Sequence, residues 1–194
     1  MRKELDEALC AKYPLIFRDR NAPMTQTAMC WGFSCGDGWY TIIDVLCGML
    51  YSDYRQAKER YEYRAEVGVG GVLYGTKTVT QEEIDEAKAK MDEEAEKIPV
   101  AVQVKEKFGG LRFYVDRATE QHYDFISVAE SMSYHTCEEC GAPGKRYTDG
   151  YHQTLCDIHA EMNGRSNKDD DYLRSEEHTS ELQSLAYLVC RLLL

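Results

Sequence analysis

Four side chains in one short stretch constrain this chain more than anything else in it. Residues 137–159 read CEECGAPGKRYTDGYHQTLCDIH. Cys137 and Cys140 have two residues between them, Cys156 and His159 have two, and fifteen separate the pairs. That is the spacing at which three thiolates and one imidazole close on a single tetrahedral zinc ion. Gly141 follows the second cysteine, where a positive φ lets the chain turn back. The Asp149-Gly150 dipeptide between two short apolar-and-polar runs is a hairpin signal. LCDIHAEMN then reads as the start of a helix, on which Cys156 and His159 share a face. Knuckle, hairpin and ligand-bearing helix, in that order, make a treble-clef-like module. Four protein ligands leave no open position for a reacting water, so the expected ion is a staple. It would hold a segment too small to bury a core of its own. His152 lies in the same stretch. It follows the Asp149-Gly150 turn and is expected to point away, which makes His159 the preferred fourth ligand.

Composition argues for metal over disulfides. The chain has eight cysteines among 194 residues. Its start, MRKELDEALC, is charged and lacks the apolar stretch of a secretion signal, so the expected compartment is a reducing cytoplasm. No run approaches the roughly 20 apolar residues of a membrane span. Hydrophobic residues make up 43%, enough for a core. The net charge of −11 opposes a strong non-specific grip on nucleic acid and suits a basic partner surface. A second metal site from Cys10, Cys30, Cys35 and Cys47 is not expected, because their spacing matches no ligand pair.

The rest of the chain predicts an α+β fold, with helices packed on a β-hairpin or small antiparallel sheet. Residues 1–12 form a short amphipathic helix that Pro14 stops. Residues 13–38 are irregular and rich in Cys, Met and aromatic side chains. Asp37 is the expected N-cap of a helix whose stripe is Ile42, Val45, Leu46, Met49 and Leu50. That helix continues toward Glu66 with a break near Ser52-Asp53. Residues 67–79 fail as a phosphate loop, because Thr76 separates Gly75 from Lys77, and read as a glycine-rich loop or hairpin. Thr80 and Glu83 form a capping box that opens an acidic helix to about Lys97.

After Pro99, VAVQVKEKFGGLRFYVD is the clearest hairpin. A Gly109-Gly110 turn would set Phe108 opposite Leu111 and Val104 opposite Val115, with Val100, Val102 and Val104 facing inward. Glu106 falls on that apolar face opposite Phe113, expected near its open end. The other face carries Lys105, Lys107, Arg112 and Tyr114. With Trp31 and Trp39 from the aromatic segment, these form the candidate binding face. Thr119 caps a last helix through about Tyr134. The expected domains are an α+β body over 1–134, a zinc module over 135–165, and disorder over 166–194.

Residues 174–184, RSEEHTSELQS, resemble the in-frame translation of a sequencing-library adapter. Residues 174–194 are therefore expected to be an assembly artefact, which takes His178 and Cys190 out of any site.

The segments MCWGF, GDGWY, VKEKFGGLRFYV, CEECGAPG and TLCDIHA, in this order, resemble a family of small phage and prophage proteins of uncharacterised activity. The resemblance spans roughly residues 1–162. It implies a bacterial host cytoplasm and a zinc module with ligands at Cys137, Cys140, Cys156 and His159. It hands over no catalytic residues. The expected function is non-enzymatic: a zinc-stabilised accessory protein that binds a host or phage protein, for example to inhibit a host defence such as CRISPR. The alternative is a nucleic-acid-binding zinc protein using Lys105, Lys107 and Arg112. A metal-dependent nuclease built on His152 and Asn163 is the weakest reading, because no Asp-His pair precedes them.

Overall fold

The computed structural model describes residues 1–73, 75 and 77–165; the disorder expected for 166–194, adapter-like tail included, falls outside them. The described residues form an α+β fold of six α-helices and three two-stranded antiparallel pairs. In chain order these are α1 (Lys3–Lys12), α2 (Tyr40–Leu50), α3 (Ser52–Val67), β1 (Val72–Leu73), β2 (Lys77–Thr78), α4 (Gln81–Lys97), β3 (Val100–Lys107), β4 (Gly110–Asp116), α5 (Glu120–Ser133), β5 (Lys145–Tyr147), β6 (Gln153–Leu155) and α6 (Asp157–Met162). No helix among the described residues is long and apolar enough to cross a membrane.

The main core gathers α1, α2, α5, the β3–β4 hairpin and the irregular segment between α1 and α2. Leu9, Ile16, Met29, Trp39, Ile43, Val104 and Leu111 are all fully buried there. Phe17 meets Phe33 and Phe113 edge-on, at centroid distances of 5.1 and 6.4 Å. Most of that aromatic segment therefore packs the core. Asp6 on α1 ties it down. Its carboxylate accepts from Arg20 Nε at 3.2 Å, Arg20 Nη2 at 3.1 Å and the Phe33 N–H at 3.2 Å. A buried carboxylate needs such a set of donors.

Several helical expectations are corrected. Asp37 does not cap α2. It opens a short 3-10 turn, Asp37–Trp39, and its carboxylate accepts from the backbone and guanidinium of Arg2. The Arg2 N–H, then the guanidinium, hold its carboxyl below the usual range. The inward stripe of α2 is Ile42, Ile43, Leu46, Cys47 and Leu50, whereas Val45 and Met49 face outward. The expected break is present: α2 ends at Leu50 and α3 begins at Ser52. The Thr80–Glu83 capping box is formed, with Glu83 N–H donating to Thr80 Oγ1 at 3.2 Å. Thr119 caps α5 in the same way, with His122 as its reciprocal partner. The glycine-rich stretch before α4 is a small hairpin, β1–β2.

The central hairpin is slipped from its expected register. Lys107 pairs with Gly110, Glu106 with Leu111 and Val104 with Phe113. The turn is Phe108-Gly109, with φ of 55° and 77°. Positive φ at both central positions is the two-residue turn that matches strand twist. Gly110 is taken up elsewhere: a Cβ there would lie 2.5 Å from the Tyr134 ring. The slip spans two residues, so each side chain keeps its face. Glu106 therefore stays on the inner face but opposite Leu111. Its Oε1 accepts from the Gly109 N–H at 2.6 Å. A bulge between Ala101 and Gln103 buries Ala101 where Val102 was expected. There the Ala101 N–H leaves the ladder for the Ile16 carbonyl, at 2.9 Å.

A two-stranded sheet has two raw edges, and both are covered. On the β4 side, Ser133 Oγ accepts from the Leu111 N–H at 2.8 Å, and Glu130 Oε1 from the Phe113 N–H at 3.0 Å. On the β3 side, Ser34 N–H donates to Val104 O at 3.0 Å, and Glu106 N–H donates to Ser34 O at 2.8 Å. Helix α5 and the irregular segment thus replace the missing strands, and α5 delivers the chain to the C-terminal module.

Candidate metal centre

Just past α5, the Cys137 N–H donates to Ala142 O at 2.8 Å and the Gly141 N–H to Cys137 O at 2.9 Å. These two bonds close the knuckle, and Gly141 turns it with φ of 77°. Strands β5 and β6 pair Lys145 with Leu155 and Tyr147 with Gln153, around a loop holding Asp149-Gly150. Cys156 is the N-cap residue of α6, and His159 sits in its first turn. Among the described residues the module's own apolar core is Cys137, Tyr147, Leu155 and Ala160, with Cys156 packed on it.

Knuckle and helix bring four ligand atoms together. Cys137 Sγ lies 3.5 Å from His159 Nδ1, Cys156 Sγ lies 3.2 Å from the same nitrogen, and Cys140 Sγ lies 3.8 Å from Cys156 Sγ. All four atoms fall within 4.8 Å of one another. A tetrahedral ion with bonds of about 2.3 Å to sulfur and about 2.0 Å to nitrogen needs edges of about 3.8 and about 3.5 Å. The cluster fits that requirement and could bind a metal ion.

The thiols are not equivalent. Burial pushes Cys137 up, against backbone N–H donors from Cys156, Cys140 and Glu139. Cys156 is pulled down to about 7, first by the His159 N–H and also by the His159 side chain. A lowered thiol is a ready thiolate ligand. The other cysteines differ. Burial pushes Cys10 up to about 11, Cys35 up to about 12 and Cys47 far above its ordinary value. Among the described residues these do not join a metal-binding group.

His152 stands apart from the cluster. Its Nδ1 lies 3.1 Å from Arg146 Nη2 and its ring 5.9 Å from that of Phe108. Asn163 Nδ2 donates to the His159 carbonyl at 2.9 Å, at the end of α6. Each of these two residues is engaged locally.

The candidate binding face divides. Lys107 is exposed, as are Tyr114 at 40% and Trp31 at 64%. Lys105 is half-buried, with its ammonium 5.5 Å from the Tyr114 ring centre. Arg112 is committed to the fold: Nη2 donates to the Tyr134 hydroxyl at 2.6 Å, and Nη1 lies 3.5 Å from Glu130. Trp39 must be withdrawn from the face. It is fully buried, and its Nε1–H donates to Thr136 O at 2.8 Å.

What the sequence reading missed is how the module sits on the body. Gly36 and Gly38 lie directly under the knuckle. A Cβ on Gly36 would overlap the Glu138 carbonyl, and one on Gly38 would overlap the Cys137 carbonyl and the Gly141 N–H. The Gly38 N–H donates to Glu138 O at 2.7 Å, and the Gly36 N–H to Glu138 Oε1 at 2.9 Å. Burial raises the Glu138 carboxyl, and the Gly36 N–H partly offsets this. At the other side Thr154 Oγ1 donates to Gly109 O at 2.5 Å and Tyr151 OH to Glu106 Oε2 at 2.7 Å. The available signal was the alternate-glycine pattern in GDGW, which marks close backbone approach without naming the partner.

Comparison with family models, with curated proteins and with solved structures finds no match for this chain.

Proposed function

We propose that the bound ion is zinc, that the C-terminal module is a treble clef, and that the protein acts by contact with a partner protein. The observation that carries this reading is the closed donor set. Three thiolates and one imidazole at tetrahedral spacing fill the coordination sphere of zinc and leave no place for a catalytic water. The order of knuckle, β5–β6 hairpin and ligand-bearing α6 supports the treble clef. With a core of four residues, the module depends on its ion and on the body beneath it.

The net charge of −11 suits a partner with a basic surface, such as one that normally grips nucleic acid. The resemblance to phage and prophage proteins extends the proposal to a partner in the bacterial host cytoplasm. Inhibition of a defence system by occupying such a surface is one form.

Metal analysis of purified protein tests the first half: one zinc per chain is expected, and none in Cys140→Ser. Equal zinc in both would remove the site. Capture from host lysate tests the second half. A stoichiometric protein partner, released as salt is raised and lost on a change of Trp31, supports it. Recovery of nucleic acid alone would overturn it.

A further inference from the structure

The outer face of the β3–β4 hairpin and the near side of the metal module form one continuous belt of cations and aromatic rings. Tyr134, at the end of α5, lies between two guanidiniums: Arg112 at 5.7 Å from its ring centre and Arg146 at 5.0 Å. Arg146 continues to His152, and His152 to the ring of Phe108. Lys107 sits 5.6 Å from the Phe108 ring, and Lys105 sits beside Tyr114. The belt joins β3, β4, α5, β5 and the β5–β6 loop, so it exists only while the module is docked.

The tips of this belt are bare. Phe108 is 60% exposed at the turn and Tyr151 is 67% exposed on the neighbouring loop. The two exposed rings stand at neighbouring loop tips beside Lys107 and Arg146, open to a flat apolar partner. The nearby acids are already engaged. Glu106 accepts from Gly109 and Tyr151, Glu130 from Arg112 and Phe113, and Asp149 faces Arg165.

We propose that this belt binds single-stranded nucleic acid, with phosphates on Lys105, Lys107 and Arg146 and unpaired bases stacked on Phe108 and Tyr151. A single strand offers negative charge and flat apolar faces in alternation, the chemistry that the belt presents. A duplex hides its base faces and can use only the cations. An acidic peptide would likewise meet the lysines but leave the ring faces uncovered. The site is independent of the protein-contact reading and rests on different residues from the metal ligands. Part of the negative charge lies away from the lysine tip of the belt. Helix α4, QEEIDEAKAKMDEEAEK, is strongly acidic and ends just before β3. Lys107 lies at the far end of β3 from Val100, about 24 Å away at about 3.4 Å per residue. That is well beyond the Debye length of about 8 Å at physiological salt.

The test uses the full chain with its metal. Fluorescence anisotropy is measured with labelled oligothymidylate and oligouridylate of about ten residues, and with a DNA duplex of the same length. Both single strands are expected to bind more tightly than the duplex. Phe108→Asn is expected to weaken them by at least about fivefold, the loss of one stacked base. Asparagine tolerates the positive φ at this turn, so the variant keeps the fold, which unchanged metal content and circular dichroism verify. Lys107→Gln is expected to reduce the slope of log affinity against log salt by about 0.7. Lys58→Gln on α3 is expected to change nothing. Preference for the duplex, absence of binding, or single-strand binding indifferent to Phe108→Asn and Lys107→Gln would overturn the proposal. So would displacement of the strands by an equal charge of poly-glutamate, which would assign the belt to acidic peptides.

Discussion

Gly36 and Gly38 are where one added methyl group has the largest consequence for this molecule. Both face knuckle backbone, which cannot swing aside as a side chain can. Gly38→Ala is expected to destabilise the metal-loaded protein by about 1–3 kcal/mol, the range for overpacking a filled contact. Denaturant unfolding at fixed metal concentration reads this directly. Gly48→Ala is the contrasting case. It lies inside α2, and its Cβ would meet only the Tyr13 hydroxyl at 3.4 Å. Alanine favours the helix there by about 1 kcal/mol, so a neutral or stabilising result is expected. The charge on Glu138 belongs to the same contact. Burial raises its carboxyl, so the folded chain holds a proton that the unfolded chain has already released. Stability from this group is therefore lost as pH rises from the ordinary glutamate value to the raised one. Glu138→Gln keeps the acceptor for the Gly36 N–H and is expected to flatten that part of the pH–stability profile.

At the scale of elements, what could be read early was what is local in the chain. Thr80 with Glu83 and Thr119 with His122 cap their helices within one turn, and both caps were visible as residue patterns, the first in full. The β3–β4 hairpin was legible as alternating apolar residues, but its register was not. Two glycines offered two adjacent turns, and the choice fell to Tyr134, which needs Gly110 beneath its ring. The same distance effect misassigned Val102, because the bulge answers to Ile16, far away in sequence. The observed turn carries its own test. Phe108 holds a left-handed conformation that costs an ordinary residue about 1–2 kcal/mol. Asn-Gly is the preferred pair for such a turn. Phe108→Asn is thus expected to raise stability by a few tenths to about 1 kcal/mol in thermal or denaturant unfolding. Had Gly109-Gly110 been the turn, the same change would remove a paired strand residue and lower it.

At the scale of the whole molecule, the described residues form two apolar cores of unequal size, joined through backbone and side-chain hydrogen bonds. The body's apolar core takes in Trp39, Leu46, Val104, Leu111 and many others, whereas the module's has four residues. The cluster of Cys137, Cys140, Cys156 and His159 was legible because its spacing is encoded in a short stretch. Its seat on Gly36 and Gly38 was not, because about a hundred residues separate the two surfaces and no periodicity links them. This asymmetry sets what metal withdrawal does. With so little apolar area, the module is expected to unfold without an ion, while the body is expected to keep its own core. A strong chelator is expected to open residues 137–159 to protease and to rapid amide exchange. Far-ultraviolet circular dichroism from α1–α5 is expected to persist. Cys140→Ser should reproduce that state without chelator, and Cys47→Ser, which alters a thiol buried in the body, should leave metal content unchanged. Protons should act as a milder chelator. Each thiolate must form before it binds, so affinity falls as pH falls. Cys156, held down to about 7, yields its proton more readily than Cys137, which burial holds up. Metal titrations at successive pH values should therefore show proton release on binding that grows as pH is lowered through neutrality. Global unfolding of the body in step with metal loss would contradict the two-core account, because it would mean that α2 and the hairpin depend on the ion as much as the knuckle does.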